Sequence, residues 1–170
     1  MDLKKYIREI PDWPKKGVGF KDITPLLEDP KALKFVIDEL AKPYLGQKID
    51  KVVGIDARGF LLASAVAYKL GAGLSLVRKK GKLPHKTISR ACDMEYASNV
   101  MEMHEDTIKS GERVIVVDDV IAYGATMEAT AEMIEKLGGN IVGISFLIEL
   151  SFLKGREKLK KYKINSLIEY

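Results

Sequence analysis

The stretch RVIVVDDVIAYGAT, residues 113–126, limits the possible folds of this chain more than any other. Val114 to Val117 are four consecutive β-branched apolar residues, the composition of a strand buried on both faces. Asp118 and Asp119 follow. A loop of small residues then opens an apolar-periodic stretch, 126–137, that predicts a helix. Strand, short loop, helix is the unit of a parallel sheet covered by helices. The same pattern appears at KVVGIDARG, with a strand at 52–55 and a helix over 60–70, and strands are predicted at LSLV, 74–77, and IVGISFLIEL, 141–150. These elements predict an α/β fold with a central parallel sheet flanked by helices, in a single domain over 1–170. Ligands of such sheets sit beyond the carboxyl ends of the strands. The loops after Ile55, Val77 and Val117 are therefore the candidate site.

The rest of the chain is less regular. Residues 2–9 predict a short helix ending at Ile10-Pro11, and 11–30, with four prolines, an irregular structured segment. Asp29-Pro30 is a start signal for a helix over 31–45, with Leu33, Val36, Ile37 and Leu40 on one face. Residues 79–104 are polar with little period and read as a long loop suited to close over a site.

Charge placement matters more than its sum. The chain has 28 Lys and Arg against 24 Asp and Glu, a net +4. Residues 78–90 hold six Lys/Arg and no acid, and residues 154–163 hold six Lys/Arg and one Glu. Everything else is net acidic, so the body is not a nucleic-acid surface. The second segment reads as a solvated face, with polyanion binding as the alternative. No apolar stretch approaches the roughly 20 residues that span a bilayer. The charged start MDLKKYIREIPDW differs from a secretory leader, which predicts a cytoplasmic protein. A single cysteine, Cys92, excludes a disulfide framework and a multi-cysteine metal site. It lies in no nucleophile motif. His85 and His104 have no metal-pair spacing and read as surface residues.

The loop Ala122-Tyr123-Gly124-Ala125-Thr126 has the makings of a phosphate cradle. Small residues let backbone N–H groups converge, and a helix N-terminus adds partial positive charge. Asp118 and Asp119 beside it can accept hydrogen bonds from sugar hydroxyls or hold metal-bound water. The plainer reading is acids that cap a helix; for Arg58, between strand and helix, it is a structural ion pair. Walker and dinucleotide glycine motifs are absent.

VIVVDDVIAYGAT resembles the phosphoribosyl-pyrophosphate (PRPP) signature of type I phosphoribosyltransferases. IPDWPKKGVGFKDITPLLEDP, GIDARGFLLA, VRKKGKLP, MEYASNVMEMHEDTI and LIELSFLKGREKL are similar, in order and spacing, to the adenine branch of that family. The resemblance covers nearly the whole chain. It implies the type I phosphoribosyltransferase fold and a purine-salvage transferase in which adenine and PRPP give AMP and pyrophosphate with Mg²⁺, in a homodimer.

Carried over by position, Ala122 to Thr126 would hold the 5′-phosphate, and Asp118 and Asp119 would face the ribose hydroxyls. Asp56, Ala57, Arg58 and Gly59 would form the pyrophosphate loop, entered through a cis Asp56–Ala57 peptide. Arg78, Lys79 and Lys82 would add positive charge, with Arg78 or Lys79 reaching toward a partner's site. Val18, Gly19, Phe20 and Lys21, within an N-terminal base-binding segment over 1–30, would line the adenine pocket, with Tyr96 closing over it. Glu95 and Arg58 would be catalytic, Glu95 handling the proton on adenine. No direct metal ligand is implied: Mg²⁺ would ride on PRPP, helped through water by Asp118 or Asp119. The alternatives are a phosphoribosyltransferase for another purine and a non-catalytic PRPP sensor.

Three residues depart from the family pattern. Its phosphate loop usually reads A-T-G-G-T, where this chain has Tyr123 and Ala125, and Ala97 stands where Gly follows Glu-Tyr. An alanine disfavours positive φ and a tyrosine is bulky, so weakened PRPP binding with retained activity is expected.

Overall fold

A computed structural model describes residues 1–13, 16, 19–94 and 97–170, and gives no side-chain detail at 93, 94, 97 and 98. Val18, Glu95 and Tyr96 lie outside the described residues.

The elements in chain order are β1 (Arg8–Ile10), β2 (Phe20–Asp22), α1 (Thr24–Glu28), α2 (Pro30–Ala41), β3 (Lys51–Ile55), α3 (Arg58–Leu70), β4 (Gly73–Lys79), β5 (Thr87–Met94), β6 (Ala97–His104), β7 (Arg113–Ile121), α4 (Ala125–Lys136), β8 (Asn140–Glu149) and β9 (Ile164–Glu169). Among the described residues the main sheet runs β5-β6-β4-β3-β7-β8-β9. Its five strands from β4 to β9 are mutually parallel. The pair β5–β6 adds an antiparallel hairpin at the β4 edge.

Strand alternation explains the two layers of core. Val52, Ile115, Val117 and Leu147 point to the face covered by α2 and α3, where Val36, Leu40, Leu62 and Val66 meet them. Val53, Val114, Val116, Ile144 and Phe146 point to the opposite face, against Met127, Met133 and Ile134 of α4. Burial on both faces requires the continuous apolar runs that marked these strands in the sequence. The start signal at Asp29 is a true cap: its carboxylate accepts from the N–H groups of Lys31 and Ala32 at 2.9 and 2.8 Å.

Two expectations need correction. Residues 2–9 are not one helix: a 3₁₀ turn, Leu3–Tyr6, gives way to β1, which pairs with β2 through Ile10↔Phe20. Residues 79–104 are not an irregular loop, because β5 and β6 pair from Thr87↔His104 to Met94↔Ala97. Met101 and Met103 on β6 are buried, giving the hairpin an anchored inner side. The cations of residues 154–163 are all exposed, as expected of a solvated face, while 3₁₀ turns there bury Leu159 in the α4 layer. The last strand, β9, had no counterpart in the sequence reading.

Candidate active site

The carboxyl ends of β3 and β7 lie side by side, as Gly54 pairs with Val117. The segments leaving them therefore share one cleft. Asp56, Ala57, Arg58, Asp118, Asp119, Ala122, Tyr123, Gly124, Ala125 and Thr126 all line it, and its volume is about 280 Å³. These are ten of the residues singled out from sequence, drawn from two segments about 60 positions apart. The Asp56–Ala57 peptide is cis, as the resemblance implied.

Arg58 connects the cleft to the N-terminal segment. Its guanidinium stands 2.6 Å from the Asp119 carboxylate. It also donates to the Lys21 carbonyl at 3.1 Å and lies over the Phe20 ring at 4.6 Å. A planar, delocalised cation can make these contacts at once where an ammonium cannot. Phe20 is packed in turn by Trp13 edge-on at 4.5 Å. Lys21 pairs with Glu9 at 2.7 Å and stands over the Tyr170 ring at 4.0 Å.

The two aspartates differ. Asp118 Oδ1 accepts from the Asp119 N–H at 2.9 Å. Burial pushes the Asp118 carboxyl well above the usual carboxylate range, and the neighbouring Asp119 charge pushes the same way. Asp119 is also raised by burial, with Arg58 opposing. Gly59 makes this arrangement possible, since a Cβ there would run into the Asp118 carboxylate. Asp118 and Asp119 lie within β7 rather than beyond it, as β7 continues to Ile121.

The departure at Ala125 is harmless to the backbone. Positive φ falls on Gly124, at 80°, and Ala125 is the first residue of α4. The expectation that Ala125 strains the loop is thus overturned. Tyr123 is 43% exposed.

The basic residues are organised by a carboxylate that sequence reasoning missed. Glu102 on β6 is buried, and its Oε1 accepts from the N–H groups of Lys82 and Leu83 at 3.1 and 3.0 Å. Burial alone would raise this group, but the N–H groups of Leu83, Gly81 and Lys82 outweigh it and hold the carboxyl low. Arg78 donates to Asp56 Oδ2 at 3.1 Å and to the Lys82 carbonyl at 3.3 Å, tying the turn to the cleft. Arg78 is thus engaged within its own chain. Lys79 and Lys82 are not among the residues lining the cleft. No local signal marks Glu102: strand alternation puts it on the face of β6 opposite Met101 and Met103, yet all three are buried. We expect Glu102→Ala to raise the KM for PRPP about tenfold while leaving adenine KM unchanged, measured by initial rates.

No cluster of three or more metal-ligating side chains occurs among the described residues. The donors present are two adjacent carboxylates, which suits an ion held mainly by substrate oxygens and water rather than by a protein cage.

Residues 26–168 match the phosphoribosyl transferase domain family. An adenine phosphoribosyltransferase from Brachyspira hyodysenteriae is 55% identical over 170 residues, covering all of both chains. The chain belongs to the adenine phosphoribosyltransferase family. Crystal structures of other adenine phosphoribosyltransferases agree. The enzyme from Thermoanaerobacter pseudethanolicus superposes with a TM-score of 0.96 at 49% identity, over 99% of this chain and 98% of that one. The enzyme from Trypanosoma brucei, solved with AMP, pyrophosphate and ribose-5-phosphate, superposes with a TM-score of 0.90 at 26% identity, over 98% of this chain and 78% of that one.

Proposed function

We propose that this chain is an adenine phosphoribosyltransferase that converts adenine and PRPP into AMP and pyrophosphate. The observation that carries this reading is convergence. The loop after β7, the acidic pair and the segment after β3 meet in one cleft, in a chain matched end to end by adenine phosphoribosyltransferases.

The reaction breaks the bond from the ribose carbon to pyrophosphate oxygen, forms a carbon–nitrogen bond to adenine, and removes one proton from adenine. Backbone N–H groups of Ala122 to Thr126, at the N-terminus of α4, bind the 5′-phosphate. Asp118 and Asp119 accept from the ribose hydroxyls and offset positive charge that develops on the ribose. Asp56 to Gly59 cradle the pyrophosphate, with Arg58, Arg78, Lys79 and Lys82 supplying cationic charge. Asp118 and Asp119 would hold Mg²⁺ through water, and the ion would supply charge neutralisation for the pyrophosphate. Gly19, Phe20 and Lys21, with Val18 and Tyr96, form the base pocket, in which Phe20 offers a ring face. Glu95 takes the adenine proton. The hairpin β5–β6, whose strands flank Glu95, serves as the lid that excludes water. Tyr123 remains the residue by which this loop binds PRPP more weakly than the family pattern.

A homodimer suits the exposed apolar face of α3 and β4, where Tyr68 is 91%, Leu61 53% and Leu74 41% exposed. Sedimentation giving twice the 19.0 kDa chain mass supports it, and the monomer mass rejects it. No helix is long and apolar enough to cross a membrane among the described residues. The one cysteine needs no oxidising compartment, consistent with a cytoplasmic enzyme.

The test is a base-by-base assay with PRPP and Mg²⁺, following pyrophosphate release. Adenine is expected to be the preferred base. Release with hypoxanthine or guanine but not adenine rejects the specificity.

A further inference from the structure

We propose that residues 154–163 are a buttress for the phosphate loop, with Gly155 and Arg156 as positioning residues for PRPP binding. This rests on the reading of Ala122 to Thr126 as the PRPP phosphate loop.

The contact is backbone against backbone. Gly155 is buried. A Cβ on Gly155 would overlap the Ala122 carbonyl and stand 2.9 Å from the Gly124 nitrogen. A Cβ on Gly124 would lie 2.5 Å from the Gly155 carbonyl. Two glycines therefore press together, and neither position has room for a side chain. Gly124 also holds a φ of 80°, which turns the chain into α4.

What presses Gly155 there is a clamp on the next residue. Arg156 donates through Nε and Nη2 to the two oxygens of Glu149, at 2.9 and 2.5 Å. Ser166 on β9 donates to the same carboxylate at 2.7 Å. Glu149 is 7% exposed and ends β8, in register with Ile121, the residue before the phosphate loop. The clamp is thus referenced to the strand that delivers the loop. A bidentate pair fixes direction as well as distance. Lys158 and Lys161 add ion pairs to Glu128 and Glu135 on α4, at 3.4 and 2.8 Å, and Leu159 is fully buried. Three of the six cations in this segment are therefore paired with carboxylates of β8 and α4. That explains a basic run without invoking a polyanion.

A cradle of N–H groups binds phosphate only while its groups stay aimed, and displacement near 1 Å is costly. Steady-state kinetics with adenine and PRPP on Gly155→Ala and Arg156→Gln test the proposal. Both variants are expected to raise the KM for PRPP about tenfold and leave that for adenine within about twofold. Arg156→Gln keeps Gly155 and serves if Gly155→Ala does not fold. A Lys160→Glu, Lys163→Glu variant, which reverses charge without touching the clamp, is expected to match the parent. A PRPP KM unchanged in the first two variants overturns the buttress. So does an equal rise in both KM values, or a charge-reversal effect as large as theirs. A parent that makes no AMP instead overturns the loop reading itself.

Discussion

Replacing Arg58 with alanine is expected to lower kcat/KM about a thousandfold, the largest single loss in the molecule. Loss of one well-placed transition-state donor costs about a hundred- to a thousandfold. Arg58 does more than that. It stands 2.6 Å from Asp119, binds the Lys21 carbonyl at 3.1 Å and covers the Phe20 ring. Its removal leaves the buried Asp119 carboxylate without its ion pair and frees β2, which carries the proposed base-pocket residues Phe20 and Lys21. Breaking one half of a buried pair is costly for the half that remains. Both KM values should therefore rise along with the fall in kcat. Arg58→Lys restores charge but not the fork, and is expected to recover less than a tenth of the loss. Initial-rate kinetics varying each substrate in turn check this. A lysine variant close to the parent would show that charge alone matters there.

Asp118→Asn is expected to move activity and stability in opposite directions. Burial, and then the charge of Asp119, raises the Asp118 carboxyl well above the ordinary range. In the unfolded chain it titrates near the ordinary value of about 3.9. Below that value both states are protonated and the group costs nothing. As pH rises, the unfolded state ionises first, and the folded state falls behind until the raised value is passed. The parent therefore carries its full penalty on the alkaline side, and asparagine removes it. The variant should melt at a higher temperature than the parent near neutral pH, with the gap closing toward about pH 4. The amide Oδ1 can still accept from the Asp119 N–H. Activity should fall about a hundredfold, because an amide cannot offset positive charge on the ribose. Paired melting curves at the two pH values, with kinetics at neutral pH, decide it. A variant less stable than the parent near neutral pH would contradict the assignment.

The legible parts of this protein were those whose neighbours in space are neighbours in sequence. Val114 to Val117 declared a strand, Gly124 a turn and Asp29 a cap, because each acts on residues within four positions. The cleft was legible for a related reason. In a parallel sheet the strand ends fall together, so the loops after Ile55 and Val117 had to meet. What escaped depends on pairing across distance. Residues 8–10 look like the end of a helix until Phe20–Asp22 pairs with them. On β6, Met101 and Met103 face the core and Glu102 the opposite side, so Glu102 reads as surface until its partners at Lys82 and Leu83 are known. Gly155 offered no local signal, since its requirement comes from Ala122 and Gly124, over 30 positions away. The Ala125 expectation failed for a local reason: the left-handed residue of the loop is its neighbour, Gly124.

The most direct measurement is a crystal structure of this protein with AMP and pyrophosphate. The 5′-phosphate is expected on the N–H groups of Ala122 to Thr126, the ribose hydroxyls against Asp118 and Asp119, and the adenine ring beside Phe20. A nucleotide bound elsewhere, such as the groove formed by Met1, Phe35 and Leu167, with the β7–α4 loop empty, would contradict the account.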